Sequence, residues 1–403
     1  MKRFLAILLA LVLGISMLAA CGEASDEQEK AAETEAVTEA PTQAATVVTD
    51  EMRDKLKTLI DESFVGHGYK GAGYIVYRGE EVYSGGAGKA NKKEDIENSA
   101  NVVYHIASIT KQFTAAAILK LCEDGKISLD DTLSKYYPDY TIGGDITIHN
   151  LLSMQSGIPD FVRSYDEDGY EVESTTQAAI DGVEEDNSLE ENRAALREWI
   201  LSQELLFDQG DRFSYCNSNY FLLGEIIEQV SGESYFDYLR TNFFEPLGMT
   251  TAGFMENYDN PDATVALGYH HTNGADLLNY AGVAFGCGDM MASPKDMYKW
   301  TIALHGGRVL SNEMYQKMIT EHAEGDEGYS GYGYGLMIGD TGAMPYYFHS
   351  GSIPCFLSNV VYIPALDFYV AVMSNYASET MPSVAQDISK IFLQEIGLVP
   401  QDM

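Results

Sequence analysis

The chain has 403 residues, is 45% hydrophobic and 11% aromatic, and carries a formal net charge of −36 at a sequence pI near 4.3. That balance argues against nucleic acid and against electrostatic docking on anionic lipid. The apolar fraction is large enough for a sizeable core, so this is a folded chain rather than a disordered one.

Met1-Lys2-Arg3 opens the chain, followed by an apolar run from Phe4 to Leu18 and then Leu18-Ala19-Ala20-Cys21. Two positive charges, a short apolar core and small residues read as a secretory signal over residues 1–20. The run is too short for a good membrane span. Residues 21–48 are dominated by Ala, Glu, Thr and Gln, with no aromatic residue. Such a stretch cannot bury enough apolar surface to offset its ordering entropy, and reads as an acidic flexible tether. One domain is expected over 49–400.

The body opens with a helix over 49–64. A strand pair follows, Gly73 to Arg78 and Glu81 to Gly85, turning at Gly79-Glu80. Next comes Tyr104-His105-Ile106-Ala107-Ser108-Ile109-Thr110-Lys111, an extended approach with a serine at the mouth of an apolar helix that ends near Gly125. Lys111 lies three residues on, on the same helical face as Ser108. A helix N-terminus favours negative charge on the serine oxygen. A lysine held against an apolar wall loses solvation, which favours the neutral amine that can take the serine proton. Ser and Lys are common, so the spacing alone is a weak signal.

Residues 162–191 read as an acidic surface insertion, and helices are expected over 191–202 and 220–230. Asp166-Glu167-Asp168-Gly169 lacks the acids at the first and twelfth positions that a calcium loop needs. His270-His271 sit in a polar stretch, so neither a metal nor a cofactor is expected. Ser293 caps a helix with Pro294 at its first position. Strands are expected over 332–338, 346–350, 356–362 and 368–374, then an amphipathic helix over 382–396. Strands at both ends and helices between them predict an α/β (α+β) chain. Its antiparallel sheet comes from the N- and C-terminal segments (about 49–105 and 285–400). Helices flank it, a mostly helical subdomain fills about 106–284, and Ser108 lies at the junction.

The ordered set Ser108-Ile109-Thr110-Lys111, Tyr215-Cys216-Asn217 and His349-Ser350-Gly351 resembles the serine β-lactamase-like and penicillin-binding superfamily. It is nearest the branch of class C β-lactamases, D-alanyl-D-alanine carboxypeptidases and esterases. Leu129-Asp130-Asp131, Leu151 to Pro159, Glu245 to Met249 and Tyr332 to Leu336 add to the likeness, which spans about 50–398. Two decoys, Tyr258-Asp259-Asn260 and His305-Gly306-Gly307, lack the neighbouring elements. Leu18 to Cys21 resembles a bacterial lipobox, which implies lipidation at Cys21.

The resemblance implies that Ser108 is acylated, with Lys111 as base or electrostatic partner and Tyr215 relaying a proton to the leaving group. It implies substrate-binding roles for Asn217, His349, Ser350, Gly351 and Ser352. His349 would hold a carboxylate or pass protons, and the N–H groups of Ser108 and Ser352 would form the oxyanion hole. His349 stands where efficient class C β-lactamases have Lys, and holds a carboxylate less firmly. Gln209, Cys216, Cys287 and Cys355 also depart from the family pattern.

The expected function is therefore a monomeric serine hydrolase, lipid-anchored outside the bacterial cytoplasmic membrane. Its expected substrate is a D-amino-acid peptide, or a small-molecule ester or amide. The alternatives are a β-lactamase and a non-catalytic peptide- or peptidoglycan-binding lipoprotein. A transporter's solute-binding lipoprotein is excluded, because the two alternating βα halves of such receptors are missing.

Overall fold

The computed structural model describes residues 48–66, 70–165, 171–172, 180–269, 281–325, 329–342, 344–376 and 384–398. The expected signal, Cys21 and the tether up to residue 47 lie outside them, as do residues 166–169, His270-His271 and the start of the last helix at Pro382.

Helix α1 (Asp50–Gly66) precedes the hairpin β1 (Gly71–Tyr77) and β2 (Glu80–Ala87). Arg78 and Gly79 turn it, both at positive φ (51° and 76°), which matches the twist of a two-residue hairpin. Helix α2 (Thr110–Glu123) carries the Ser108 region into the interior, and α3 (Leu189–Ser202) starts from a capping box made by Ser188 and Glu191. Helix α4 (Asn217–Ser231) ends at Gly232 in the left-handed region, and α5 (Pro294–His305) is capped by the Ser293 side chain.

Six strands follow: β3 (Ala323–Glu324), β4 (Gly331–Tyr332), β5 (Met337–Asp340), β6 (Pro345–Ile353), β7 (Phe356–Ile363) and β8 (Phe368–Ser374), and then α6 (Val384–Glu395). The eight strands make one antiparallel sheet in the order β3-β4-β5-β6-β7-β8-β1-β2. Gly71 pairs with Ser374, so the N-terminal hairpin completes the C-terminal sheet.

The sheet is buried on both faces, which explains why β1 and β8 read as nearly continuous apolar runs. In β8 the sides alternate: Phe368, Val370 and Val372 pack under α1 and α6 with Leu56, Ile60, Ile388 and Phe392. Tyr369, Ala371 and Met373 face the larger core shared with α2, α4 and α5. Phe113 of α2 stacks on Trp300 of α5 at 3.8 Å, and the Trp300 Nε1–H donates to Gln112 Oε1 at 3.0 Å. Ten consecutive residues of α2, Thr110 to Leu119, are buried, as expected of a central helix rather than a surface one.

The strand expected over 332–338 is two strands. The chain between them turns at Gly335 (φ 69°), where a Cβ would lie 2.5 Å from the Lys111 carbonyl oxygen. This turn is a close approach to the first turn of α2, and glycine is what permits it.

Candidate active site

The serine sits on a strained turn. Ile106 leaves a short strand, its N–H donating to the Met290 carbonyl at 3.0 Å, and Ala107 then adopts φ 46°. A non-glycine residue in that region costs about 1–3 kcal/mol and persists only where the surroundings hold it. Ala107–Ile109 is a 3₁₀ turn, so α2 begins at Thr110, two residues after the expected start. Ser108 is half-buried on this turn.

Lys111 lies in the first turn of α2 with no exposed surface. Its Nζ donates to Ser108 Oγ at 3.1 Å, Asn217 Oδ1 at 2.7 Å and the Cys287 carbonyl at 2.9 Å. Three oxygen atoms thus hold the nitrogen in place.

The second motif opens α4: Cys216 is the cap position, and Asn217 is the first helical residue. Tyr215 stands just before it, half-buried, with Lys111 Nζ 4.9 Å from its ring centroid and the Arg163 guanidinium carbon 5.2 Å from it. Both cations sit against the ring's electron-rich face.

The third motif lies within β6. Ser350 and Ser352, two residues apart, share one face of the strand and line the cleft. At Gly351 a Cβ would lie 2.2 Å from the Ile106 carbonyl oxygen and 3.1 Å from Ala107 Cβ, so the strand rests directly on the serine's turn.

His349 differs from the expectation. It has no exposed surface and does not line the cleft. Its Nδ1–H donates to the Ser350 carbonyl at 2.6 Å, and its Nε2 lies 3.5 Å from the Tyr332 hydroxyl. Burial, together with the Lys111 charge, pushes it down to about 3, so the ring is neutral and offers no positive charge to a carboxylate. The rings of Tyr215 and Tyr332, each 6.2 Å away, close it off.

Two residues that the sequence reading passed over complete the site. Asp160 is fully buried and accepts the Asn217 N–H (3.0 Å), the Asn217 Nδ2 (2.9 Å) and the Val162 N–H (2.9 Å). Arg163 Nε lies 3.4 Å from its carboxylate. Burial pushes the Asp160 carboxyl up, opposed by Arg163 and by the N–H groups of Val162 and Asn217. Arg163 also reaches the cleft wall, where it is the one formally charged side chain among the described lining residues. Pro159-Asp160-Phe161 marks a tight loop in sequence, but its partner lies 57 residues away, which no local pattern reveals.

Ser108, Tyr215, Asn217, Ser350, Ser352 and Arg163 thus surround one cleft of ≈ 370 Å³. The thiols of Cys122, Cys216, Cys287 and Cys355 are unpaired. Cys287 Sγ donates to the Ala284 carbonyl, and burial pushes this thiol up to about 12. The decoys Tyr258 and His305 do not line the cleft.

An antiparallel sheet flanked by helices, with Ser-x-x-Lys opening the central helix, is the architecture of the serine β-lactamases and penicillin-binding proteins. The chain belongs to the Beta-lactamase family, a family of serine hydrolases, whose model matches residues 50–392. The candidate penicillin-binding protein PbpX of Bacillus subtilis (strain 168) is 33% identical over 274 residues, 67% of this chain and 62% of that protein. Protein flp of Staphylococcus aureus (strain MRSA252) is 27% identical over 358 residues, 85% of this chain and 66% of that one. The chain therefore spans less than two thirds of the length of either relative. The structure of the octameric penicillin-binding protein homologue from Pyrococcus abyssi superposes with a TM-score of 0.71 at 31% identity, covering 88% of this chain and 79% of that one.

Proposed function

We propose that the chain is a serine hydrolase that works through an acyl-enzyme on Ser108, acting outside the cytoplasmic membrane on D-amino-acid peptides or on esters and amides of similar shape. The observation that carries this reading is the 3.1 Å contact between Lys111 Nζ and Ser108 Oγ, with Lys111 wholly buried. As a neutral amine Lys111 keeps two protons for Asn217 Oδ1 and the Cys287 carbonyl, and turns its lone pair on the serine O–H.

Ser108 Oγ then forms a bond to the substrate carbonyl carbon while its proton passes to Lys111. The oxyanion falls to the N–H groups of Ser108 and Ser352. Ile353 and Phe356 flank a two-residue hairpin turn, and the alternation of bonded pairs from that end leaves Ser352 at a position whose N–H points away from β7. Strand β5 pairs with β6 only over 345–348, so it does not reach Ser352. The intermediate collapses as the carbon–nitrogen or carbon–oxygen bond breaks, and Tyr215 hands a proton to the leaving group. Water later releases the acyl group.

Arg163 supplies the positive charge that His349 lacks. Among the described lining residues the one formally charged side chain is this cation, 3.4 Å from the Asp160 carboxylate, and it supports a substrate bearing a carboxylate. The names of PbpX and of the Pyrococcus homologue, both penicillin-binding, support a site that takes penicillin-like amides. Lipid anchoring at Cys21 and the acidic tether belong to the same proposal, supported by the leader sequence and composition.

The test is hydrolysis of D-alanine p-nitroanilide and of its L counterpart. The reading expects turnover of the D form that Ser108→Ala abolishes, and an activity surviving in Ser108→Ala contradicts it.

A further inference from the structure

Asn217 is held from two sides. Its Oδ1 accepts from Lys111 Nζ at 2.7 Å, and its Nδ2 donates to Asp160 Oδ2 at 2.9 Å. Only one orientation of the amide does both, because the flipped amide turns its NH₂ on the Nζ–H donor of Lys111 and its carbonyl on the carboxylate. Asp160 therefore selects the orientation that Lys111 needs.

We propose that Asp160 is a positioning residue for Lys111, acting through Asn217. Its carboxylate aims the Asn217 carbonyl at Lys111 Nζ, and so keeps that nitrogen within reach of Ser108 Oγ. This inference rests on the reading of Ser108 as nucleophile and Lys111 as its base.

A purely structural role for Asp160 is the competing explanation, and the local packing argues against it. The loop that carries Asp160 is anchored to α4 by other bonds. Ser156 Oγ donates to Asn219 Oδ1 at 2.7 Å, Ser218 Oγ to the Pro159 carbonyl at 2.7 Å, and the Phe161 N–H to Ser218 Oγ at 3.2 Å. Cys216 Sγ adds a bond to the Ile158 carbonyl. The charged groups that Asp160 meets are Arg163 and Lys111, with the thiols of Cys216 and Cys287 beside it. Its oxygens take donors on both sides, from Asn217 and from Val162.

Asp160→Asn keeps the shape but replaces one acceptor by a donor. An NH₂ turned toward Asn217 forces that amide to flip, which sets NH₂ against the Nζ–H donor of Lys111. An NH₂ turned the other way meets the Val162 N–H.

The experiment is a double-mutant cycle on hydrolysis of a D-alanyl ester, with Asp160→Asn, Asn217→Ala and the pair. Asp160→Asn should lower kcat about 100-fold with KM changed less than about threefold, and should cost less than about threefold more in the Asn217→Ala background. Thermal melting confirms that each variant is folded, and Asp160→Ser is the second variant with the same expectations. An equal loss in both backgrounds, or no loss, overturns the proposal. The Asn217 side-chain amide, followed by ¹⁵N NMR, reads it without catalysis. Its protons should exchange slowly in the wild type and fast in Asp160→Asn, and an unchanged signal overturns the proposal. Inertness of the wild type to every ester and acylating drug defeats the hydrolase reading instead, leaving the NMR result to decide this one.

Discussion

Gly351 rests its α-carbon against the Ile106 carbonyl, so closely that a methyl group there would lie 2.2 Å from that oxygen. Ser358 Oγ donates to the same carbonyl at 2.8 Å, tying β7 to the same point. The third motif therefore supports the first mechanically: β6 holds the turn on which Ala107 is strained and Ser108 is presented. Gly351→Ala should displace that turn, costing about 1–3 kcal/mol of stability and most of the acylation. A thermal melt beside the acylation rate checks both, and a variant that acylates at the wild-type rate contradicts the account.

Lys111→Met keeps the length and apolar packing of the side chain while removing the amine. Acylation should fall by roughly 10²- to 10⁴-fold, the usual contribution of a positioned base. The Asn217 and Cys287 acceptors lose their donor at the same time. Single-turnover kinetics with an activated ester measures the fall, and a loss below about tenfold would argue that Lys111 is not the base.

His349 links stability to pH. Its folded value is pushed down to about 3 against an ordinary 6.5, so below pH 6.5 the unfolded chain binds the proton first. Its contribution is complete above pH 6.5 and is lost as the pH falls toward 3, at up to about 1.4 kcal/mol per pH unit. His349→Gln should melt with a shallower acid slope between pH 6 and 4, which urea titrations at several pH values read directly. The kcat/KM profile should show no inflection near 6.5 that His349→Gln removes.

Arg163→Gln should remove a preference for acidic substrates. N-acetyl-D-alanyl-D-alanine should bind the Ser108→Ala protein more tightly than its C-terminal amide, and Arg163→Gln should weaken the acid alone by about 10- to 100-fold. Arg163→Lys should restore part of the loss. Calorimetry on the matched pair reads this, and equal weakening of acid and amide would contradict it.

What could be read from the chain followed the range of the interactions involved. The α1 stripe, a hairpin turn at Gly79, the cap at Ser293 and the apolar runs of β7 and β8 are local patterns. Each became the expected kind of element, with ends moved by a few residues. The spacing of Ser108 and Lys111 is local too. The burial of His349 depends on Tyr215 and Tyr332, which come from separate parts of the chain, so no local pattern shows it. The partner of Asp160 lies across the fold, and Arg163 falls in the acidic stretch 162–191 that reads as solvated surface, so neither has a local signal. The break at Gly335 had a visible signal in Gly333-Tyr334-Gly335, yet only the Lys111 carbonyl beside it gives the reason.

The central claim is that Ser108 is a nucleophile, and the most direct measurement is the intact mass of the protein after benzylpenicillin, with Ser108→Ala alongside. The account predicts a gain of one penicillin mass that disappears in Ser108→Ala. An adduct that persists in the variant, or no adduct on the wild type with the drug left intact, would contradict it.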